Sequence, residues 1–321
     1  MTHFDVFNGD ADGICALQQL RLANPVDSVL VTGVKRDIGL LQRVEAADGD
    51  QVTALDISLD KNRDALIGML DRGVRVRYFD HHFPGNIPSH SGLDLHLETL
   101  PDQGTSLLVD DYLRGSQRAW AVVGTFGDNF DDAARRAAEP LGLSSDQVAA
   151  LRELGICINY NGYGASIEDL HFPPDELYLK LHPYSDPLAF INEDKTFAAL
   201  SGGFADDMDR ARSTRAEVIN DRHGVYILPA DPWARRASGV YANELAQDTP
   251  ERAHALLTRL PAGGFVVSVR APLANREGAD ALCRQFPTGG GRKAAAGIND
   301  LSDDAYDRFV ELFRAAFAAE R

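Results

Sequence analysis

Acidic and histidine side chains follow three β-rich stretches in the first part of this chain. They are Asp10 and Asp12 after HFDVFNG, Asp56 after QVTAL, and Asp80, His81 and His82 after VRVRYF. If residues 10 to 12 are extended, Asp10 and Asp12 point their carboxylates the same way and can reach hard cations held close together. Carboxylate and imidazole groups suit ions such as Mn²⁺ and Mg²⁺. These residue types therefore indicate metal chemistry.

The alternative to a metal site is a set of ordinary turns. A single Asp-x-Asp pair fits a turn, because Asp side chains hydrogen-bond nearby backbone. Carboxylates at three strand ends on one edge of a sheet would repel each other unless cations neutralise them. His81 and His82 are adjacent and cannot both face inward on a strand, so they form a surface turn unless at least one is functional. The complete set favours a divalent-metal site.

Strand-like and helix-like patterns alternate through this part of the chain. They are the β-rich stretches 3–8, 28–34, 51–56 and 74–79 and the helical patterns 11–22, 37–47 and 61–71. This alternation predicts an α/β fold with a parallel sheet flanked by helices. In open sheets of this kind, ligands bind just beyond the carboxyl ends of the strands. Asp10, Asp56 and Asp80 fall at that edge.

The stretch from Leu170 to Lys195 is rich in proline and has few periodic apolar positions. Such a pattern is typical of a connector or of a lid over a site. We therefore predict one domain over residues 1–185, joined by this linker to a smaller α/β domain over residues 186–321. The elements predicted in the second domain are helices at 194–221, 237–246 and 303–319, strands at 224–228 and 264–270, and a Gly-rich loop at 289–291.

Together these motifs resemble the DHH phosphoesterase superfamily. That superfamily includes RecJ exonucleases, nanoRNases that degrade very short RNA, cyclic-dinucleotide phosphodiesterases and family II pyrophosphatases. The motifs match in order and spacing: Asp10 and Asp12, then Asp56, then Asp80-His81-His82, then Asp128 in VVGTFGDNF.

The resemblance implies a catalytic site with two divalent cations. Mn²⁺ is the expected metal and Mg²⁺ is the alternative. It assigns metal binding to Asp10, Asp12, Asp56, Asp80, His81 and Asp128. Asp56 would bridge the two ions and Asp10 would bind the first. Asp12, His81 and Asp128 would bind the second. His82 matches the histidine that faces the substrate phosphate.

One position departs from the pattern of the superfamily. Many members have a histidine four residues before the first motif aspartate, and this chain has Val6 there. The first metal site is therefore expected to be weaker or to be completed differently. Asn8 is the nearest replacement, since its amide oxygen could coordinate an ion or orient a water. The alternative is an Asn that only forms the turn.

The segment TGGGRKAAAGI places Gly290 and Gly291 before two adjacent cations, Arg292 and Lys293. The glycines would let the backbone approach an anion, the alanines would let a following helix pack closely, and the cations could pair with phosphate. A flexible turn with solvated charges is the alternative. The segment resembles the DHHA1 substrate-binding motif GGHxxAAG, with Arg292 in place of the usual histidine. Arg270 in VVSVRAP resembles the strand arginine of that domain.

Two further cations, Lys35 and Arg36, follow the second β-rich stretch. They could hold another phosphate of the substrate, or they could be ordinary charges at the approach to a helix. With the catalytic motifs in one domain and the cationic loop in the other, we expect the substrate to bind between the domains.

The composition limits the partners of the chain. Its 321 residues contain 48 Asp and Glu against 32 Lys and Arg, a formal charge of −16, which repels the backbone of long nucleic acid. Its three cysteines form no Cys-x-x-Cys pair, which argues against a disulfide framework and fits a reducing compartment. No apolar stretch is typical of a signal peptide or a membrane span. We expect a cytoplasmic protein, with the oligomeric state left open and a homodimer among the alternatives.

The expected function is metal-dependent hydrolysis of dinucleotides or very short oligonucleotides to mononucleotides. The resemblance makes pGpG a plausible substrate. A RecJ-like single-strand exonuclease is one alternative, although that group adds further nucleic-acid-binding domains, and a pyrophosphatase would carry a different C-terminal domain. A nucleotide-binding module that has lost catalysis is the non-enzymatic alternative, because Val6 replaces a ligand. Neither a Walker loop nor a Gly-x-Gly-x-x-Gly fingerprint supports nucleotide-driven or hydride transfer.

Overall fold

Two compact units make up the protein in the computed structural model, which describes residues 1–100 and 102–318. The first unit comprises Met1–Gly203 and the second begins at Phe204. The first unit therefore continues past residue 185, where the sequence places the end of the first domain. Both units combine helices with a sheet, and the α/β fold class is confirmed.

The first unit is built on a five-stranded sheet. Its strands are β1 (His3–Phe7), β2 (Val29–Val31), β3 (Gln51–Leu55), β4 (Arg75–Asp80) and β5 (Leu93–Leu97). They lie in the order β2-β1-β3-β4-β5, and every neighbouring pair is parallel. The predicted parallel sheet is confirmed. β5 is absent from the prediction, because the glycines and prolines before it are typical of a loop.

Helices follow β1 and β3, and further helices lie beyond β5. They are α1 (Ala11–Ala23), α2 (Leu59–Asp71), α3 (Thr105–Tyr112), α4 (Arg118–Gly127), α5 (Asp131–Ala138), α6 (Ser145–Asn161), α7 (Pro174–Leu181), α8 (Pro187–Glu193) and α9 (Lys195–Arg212). α1 and α2 match predicted helices. The predicted helix over 37–47 is wrong, because only the 3₁₀ turn Leu40–Arg43 forms and Val44 after it is extended. This short turn is enough to bury Leu40 and Leu41 in the core.

The Pro-rich stretch from Leu170 to Lys195 is largely helical, so the prediction of an irregular connector or lid is wrong. α7 and α8 each have a proline in the first helical turn. Proline is favourable there because its missing N–H would have no helical partner. Leu177 and Phe190 are fully buried. The stretch therefore contributes to the hydrophobic interior of the first unit.

The second unit contains a six-stranded mixed sheet. Its strands are β6 (Ala216–Ile219), β7 (His223–Leu228), β8 (Ala253–Arg259), β9 (Phe265–Arg270), β10 (Gly289–Gly291) and β11 (Ala295–Leu301). They lie in the order β10-β11-β9-β8-β7-β6, and only β7 and β8 are parallel among the described pairs. The helices are α10 (Pro232–Asp248), α11 (Ala279–Cys283) and α12 (Tyr306–Ala316). The predicted smaller α/β domain is confirmed.

Two predicted helices and one strand in the C-terminal part of the chain differ from the prediction. The predicted helix over 194–221 is too long, since α9 ends at Arg212 and β6 follows. The predicted helix over 303–319 is a 3₁₀ turn, Asp303–Ala305, followed by α12. Its predicted end, Ala319, lies outside the described residues. β8 was not predicted.

The glycines of TGGGRKAAAGI form a β-hairpin instead of a loop that precedes a helix. Gly291 pairs with Ala296 and Gly290 with Gly297, and Arg292 and Ala295 close the turn with reciprocal backbone hydrogen bonds of 2.9 and 3.2 Å. Gly291 has φ +136°, and a Cβ there would lie 2.5 Å from the Cα of Ala296. The predicted helix after the alanines is therefore wrong. The glycine is required because the strands approach too closely for a side chain.

Across the described residues, no helix is both long enough and apolar enough to cross a membrane.

Candidate metal centre

The strand register of the first unit aligns the ends of β1, β3 and β4, and the sequence motifs lie at or directly after these ends. Phe7 of β1, Leu55 of β3 and Phe79 of β4 are paired in register across the sheet. The backbone N–H of Asn8 donates to Leu55 and that of Asp56 donates to Phe79, at 3.1 and 3.0 Å. The chain passes from β1 to β2 on one side and later to β3 on the other, so the motifs lie where the strand order reverses. Ligands bind at such points in open α/β sheets.

The beginning of α1 positions Asp10 and Asp12. Asp10 is the N-cap, and its Oδ1 accepts a hydrogen bond of 3.0 Å from the N–H of Gly13. Asp12 lies in the first helical turn, so the prediction of an extended pair is wrong. Both carboxylates are nevertheless buried near the sheet edge. Negative charge is favourable here, because the N-terminus of a helix carries unpaired N–H groups and a partial positive charge.

A second helix start fixes the carboxylate of Asp12. The N–H groups of Thr105 and Ser106, the first residues of α3, donate to its two oxygens at 2.6 and 2.8 Å. Gly104 precedes them, and a Cβ at that position would lie 2.8 Å from Asp12 Oδ2. Any other residue would therefore push the carboxylate out of place. Two backbone N–H groups thus fix the orientation of the Asp12 carboxylate.

Asp56 has an unusual backbone conformation. Its φ is +58°, in the left-handed region that few residues other than glycine adopt. Its side chain is buried, and the hydroxyl of Thr105 donates to its Oδ1 at 3.0 Å. The tight turn after β3 thus directs this carboxylate toward α1 and α3.

His81 joins the acidic residues into two groups of potential metal ligands. Among the described residues, ligand atoms within 4.8 Å of one another belong to Asp56, His81 and His82, and to Asp12, His81 and Asp128. His81 Nε2 lies 3.4 Å from Asp56 Oδ1 and 3.7 Å from Asp128 Oδ2. Burial acts to lower the pKa of His81, but Asp56, Asp12 and Asp128 raise it to about 10.

The carboxyl groups differ in how readily they ionise. Burial raises the pKa of Asp56 well above its usual value, and the charges of Asp10 and Asp12 raise it further. Burial acts to raise the pKa of Asp10 too, but the charge and hydrogen bond of Lys35 outweigh that effect and lower it. A divalent cation would offset the repulsion from Asp10 and Asp12 that helps to raise the pKa of Asp56.

Asp80 supports His82 and the start of α2. Its Oδ1 lies 2.7 Å from His82 Nδ1 and accepts a hydrogen bond of 3.1 Å from the backbone N–H of His82. Its Oδ2 accepts a hydrogen bond of 3.1 Å from the N–H of Leu59. Asp80 is absent from both groups of potential ligands found in the described part of the chain. It holds the imidazole of His82, which is 39% exposed, in a fixed orientation.

Lys35 extends into the same site. Its Nζ lies 2.6 Å from Asp10 Oδ2, 2.8 Å from Asn159 Oδ1 and 3.1 Å from Asp128 Oδ1. Burial acts to lower the pKa of Lys35, but Asp10 and Asp128 hold it well above its usual value. Arg36, the other cation predicted here, is exposed. The structure thus brings one of the two residues into the carboxylate cluster.

Asn8 and Val6 differ in their surroundings. Val6 is fully buried in the apolar cluster beneath the sheet edge, with Leu40 and Leu41. Asn8 is buried, its Nδ2 donates to the carbonyl of Lys35 at 3.2 Å, and its Oδ1 has no hydrogen-bond partner. A buried acceptor without a partner is costly unless an ion or a water satisfies it. This observation agrees with Asn8 as the residue that completes a site.

The donor set fits divalent cations that prefer oxygen ligands. The two groups contain three carboxylates and two imidazoles, the imidazole of His81 belongs to both groups, and no cysteine is present in either. Such a set suits Mn²⁺ and Mg²⁺ better than soft metals. The unpaired oxygen of Asn8 and the raised pKa of Asp56 are both features that a bound cation would relieve.

The predicted substrate-binding residues of the second unit lie at one end of its sheet. Arg270 ends β9, pairs in register with Ala295, and donates through Nε to Asn243 Oδ1 at 2.7 Å. Arg292 and Lys293 are exposed at the turn of the hairpin. Lys293 Nζ lies 2.9 Å from Glu277. The structure therefore groups these cations, and their role in binding stays a prediction.

Sequence reasoning did not single out three residues of the site, namely Asn159, Thr105 and Ser106. Asn159 is buried in α6 within the apolar stretch GICINYN. A polar residue on the buried face of a helix is a signal that could have identified it, because such a group needs a partner. The sequence GTS before an apolar run could likewise have indicated a helix start with free N–H groups.

Comparisons with known proteins agree on the fold. No family model matches the chain, and no curated protein is similar to it in sequence. The exonuclease RecJ bound to manganese is 18% identical over 100% of this chain and 91% of its own, with a TM-score of 0.62. The DHH domain of a member of a family of ribosomal proteins is 14% identical over 98% of this chain and 86% of its own, with a TM-score of 0.64.

A third solved structure aligns over the full length of both chains. It is PggH, a pGpG-specific phosphodiesterase from Vibrio cholerae, which is 12% identical over 100% of each chain with a TM-score of 0.56. At these identities the similarity establishes the fold alone. The chain has the two-domain fold of DHH-domain proteins, as its motifs predict.

Proposed function

We propose that this protein is a metal-dependent phosphodiesterase that hydrolyses dinucleotides or very short oligonucleotides to mononucleotides. The observation that carries the proposal is the pair of potential ligand groups that share His81 at the carboxyl edge of the sheet. Two similar folds belong to enzymes that act on phosphodiesters, RecJ and PggH. The activities of those two enzymes agree with the chemistry that these side chains favour.

Divalent cations bound by these side chains would polarise a phosphoryl oxygen and promote in-line attack by water. The residues themselves determine where this happens. Asp12 and Asp56 are held by α3 and cannot turn away, so the ligand oxygens are positioned before substrate arrives. His82 is oriented by Asp80 and partly exposed. We assign to His82 the donation of a hydrogen bond to a phosphate oxygen.

The charge of the chain supports a short substrate. A formal charge of −16 repels each added phosphate of a longer strand. Proteins that bind single strands along their length use a cationic groove with aromatic stacking platforms. A dinucleotide requires only a few cations, and Arg270, Arg292 and Lys293 are our candidates for that role.

A RecJ-like single-strand exonuclease is the second candidate. It is favoured by the RecJ fold similarity, which has a higher TM-score than that of PggH. The two candidates differ in how the rate depends on substrate length. An exonuclease with a strand-binding track gains affinity from added nucleotides, whereas a dinucleotide phosphodiesterase does not.

The decisive experiment measures kcat/KM for 5′-phosphorylated RNAs of increasing length, at fixed salt and saturating Mn²⁺. We expect the highest value for dinucleotides, pGpG among them, and a clear decrease by about five nucleotides. Asp56→Asn is the matched control for contaminating nucleases. A value that is constant or rises with length would support the exonuclease instead. Binding of pGpG without turnover by the wild type would identify a nucleotide-binding module.

A further inference from the structure

The ammonium group of Lys35 is surrounded by three side-chain oxygens in the first unit. Its three oxygen neighbours, Asp10, Asn159 and Asp128, lie at 2.6, 2.8 and 3.1 Å. An ammonium has three N–H donors, so this set satisfies the group completely. The side chain is 23% exposed, and the ring of Tyr163 lies 5.7 Å from Nζ.

Lys35 and a divalent cation cannot use Asp10 together without strong repulsion. Oδ1 of Asp10 already accepts a hydrogen bond from Gly13, and Oδ2 faces Lys35. An ion bound to the same carboxylate would lie close to the ammonium, in a buried site where like charges are poorly screened. Asp10 therefore binds either the ammonium of Lys35 or a divalent cation, but not both at once.

Asp128 also contacts Lys35, but unlike Asp10 it keeps one carboxylate oxygen for another partner. Asp128 directs Oδ1 to Lys35 and Oδ2 toward His81, at 3.1 and 3.7 Å. Asp12, His81 and Asp128 form one of the groups of potential ligands, and neither group found in the described residues includes Asp10. The site thus has one position that is ready for a cation and another at which Lys35 is already bound.

We propose that Lys35 is an internal cation that competes with one of the two divalent ions for Asp10, so that the ions bind in sequence. The first ion binds with Asp12, His81 and Asp128 while Lys35 stays on Asp10. The second binds only after Lys35 leaves Asp10 for the partly exposed space near Tyr163. This inference concerns the order of metal binding and does not depend on which substrate the enzyme uses.

Metal titration of the full-length protein, without substrate, tests the proposal. Calorimetry would measure the affinities for Mn²⁺, and electron paramagnetic resonance would distinguish an isolated ion from a coupled pair. In the wild type we expect one tight ion and a second at least about 10-fold weaker. In Lys35→Met, which keeps the length but removes the charge, the second ion should bind about 10-fold tighter or more, with the first changed by less than about 3-fold.

Two variants make the result specific. Arg36→Met removes the neighbouring positive charge from an exposed position and should leave both affinities unchanged. Asn159→Ala removes one of the three oxygens around Lys35 and should tighten the second ion by a smaller factor than Lys35→Met. It also tests the proposal if Lys35→Met does not fold.

Several outcomes would overturn the proposal. Two ions of equal affinity in the wild type would show that Lys35 does not compete for Asp10. The same conclusion would follow if wild type and Lys35→Met bound the second ion with equal affinity and circular dichroism showed both to be folded. The proposed phosphodiesterase activity could survive either result, because it requires only that the ions bind.

Discussion

The charged groups of the two units are held in different ways. At the sheet edge of the first unit, Asp12 and Asp56 are buried and hydrogen-bonded to the start of α3. At the hairpin of the second unit, Arg292 and Lys293 are exposed on a short turn. The buried carboxylates of the first unit lower the stability of the fold, because buried like charges repel each other. Proteins keep such an arrangement where precise chemistry depends on it.

This difference indicates that the two units contribute differently to the proposed function. Side chains with fixed positions favour a reaction, since the rate depends on geometry to within fractions of an ångström. Exposed cations on a turn favour binding, since they can follow a phosphate over a wider range of positions. Substitutions at the sheet edge should therefore change kcat, and those at the hairpin should change KM.

The largest effect is expected at Asp56. Asp56→Asn keeps a residue type that tolerates φ +58° but removes the negative charge of the group formed by Asp56, His81 and His82. At saturating Mn²⁺ we expect kcat to fall on the order of 10²- to 10³-fold, and more than for Asn8→Ala. The melting temperature should not decrease, because a buried repulsion is removed.

Steady-state rates and thermal unfolding of both variants check this prediction. Asn8→Ala is the matched comparison, since it alters a buried polar residue one strand away without removing a charge. If Asp56→Asn retains near wild-type activity, the assignment of the metal centre to this edge is wrong.

A smaller effect is expected at the hairpin. Arg292→Ala should raise KM about 10- to 100-fold with little change in kcat, since a charge-assisted contact contributes on the order of 1.5 to 3 kcal/mol. Lys293→Ala should raise KM by no more than about 3-fold, because its ammonium already pairs with Glu277 at 2.9 Å. Initial rates over a range of dinucleotide concentrations would measure both. An unchanged KM in Arg292→Ala would place the substrate elsewhere.

A still smaller effect is expected at Thr105, which acts through Asp56. Thr105→Val keeps the shape of the side chain but removes the hydroxyl that donates to Asp56 Oδ1. We expect kcat to fall about 5- to 10-fold, the value of one hydrogen bond of about 1 kcal/mol, with KM unchanged. Thr105→Ser should restore most of the rate.

The control for Thr105 is a second buried threonine. Thr125 Oγ1 donates only to the carbonyl of Ala121 within α4, at 2.7 Å. Thr125→Val should therefore cost stability without a specific loss of kcat. Equal losses of kcat in the two Val variants would mean that Thr105 is structural.

The sequence predicts the strand ends of the first unit well because their signal is local. The β-rich stretches before Asp10, Asp56 and Asp80 are separated by helical patterns, and that rhythm requires a parallel sheet. In a parallel sheet the carboxyl ends meet at one edge, so the grouping of the carboxylates follows from the order of elements. Register and topology then confirm it.

Contacts between distant parts of the chain could not be predicted in this way. The backbone N–H groups that hold Asp12 come from Thr105 and Ser106, and Asn159 reaches Lys35 from α6. These partners are far apart in sequence and meet only through tertiary packing. Local composition was also misleading between Leu170 and Lys195, where prolines begin helices instead of breaking them.

The smallest predicted effect distinguishes the units by pH, through His254 of β8. Its Nδ1 is buried without a hydrogen-bond partner, and Nε2 lies 2.9 Å from Thr249 Oγ1. Burial, and then the charge of Arg252, lowers the pKa of His254 from 6.5 to about 4. Between pH 6.5 and 4 the side chain of His254 is protonated in the unfolded chain but neutral in the folded chain. The free energy of unfolding therefore falls as the pH falls over this range. From pH 7 to 5.5 we expect this group to remove about 1 kcal/mol from the second unit.

Urea unfolding of wild type and His254→Asn at pH 7 and 5.5 measures this contribution as a difference between the two pH dependences. The chain has two tryptophans, Trp120 in the first unit and Trp233 in the second, so fluorescence in Trp120→Phe and Trp233→Phe backgrounds reports each unit separately. The substitution should flatten the pH dependence of the second unit and leave that of the first unchanged. An unaltered pH dependence of the Trp233 signal would mean that His254 becomes protonated in the folded protein at ordinary pH. The interior of the second unit would then tolerate a buried charge, as the carboxylate cluster of the first unit does.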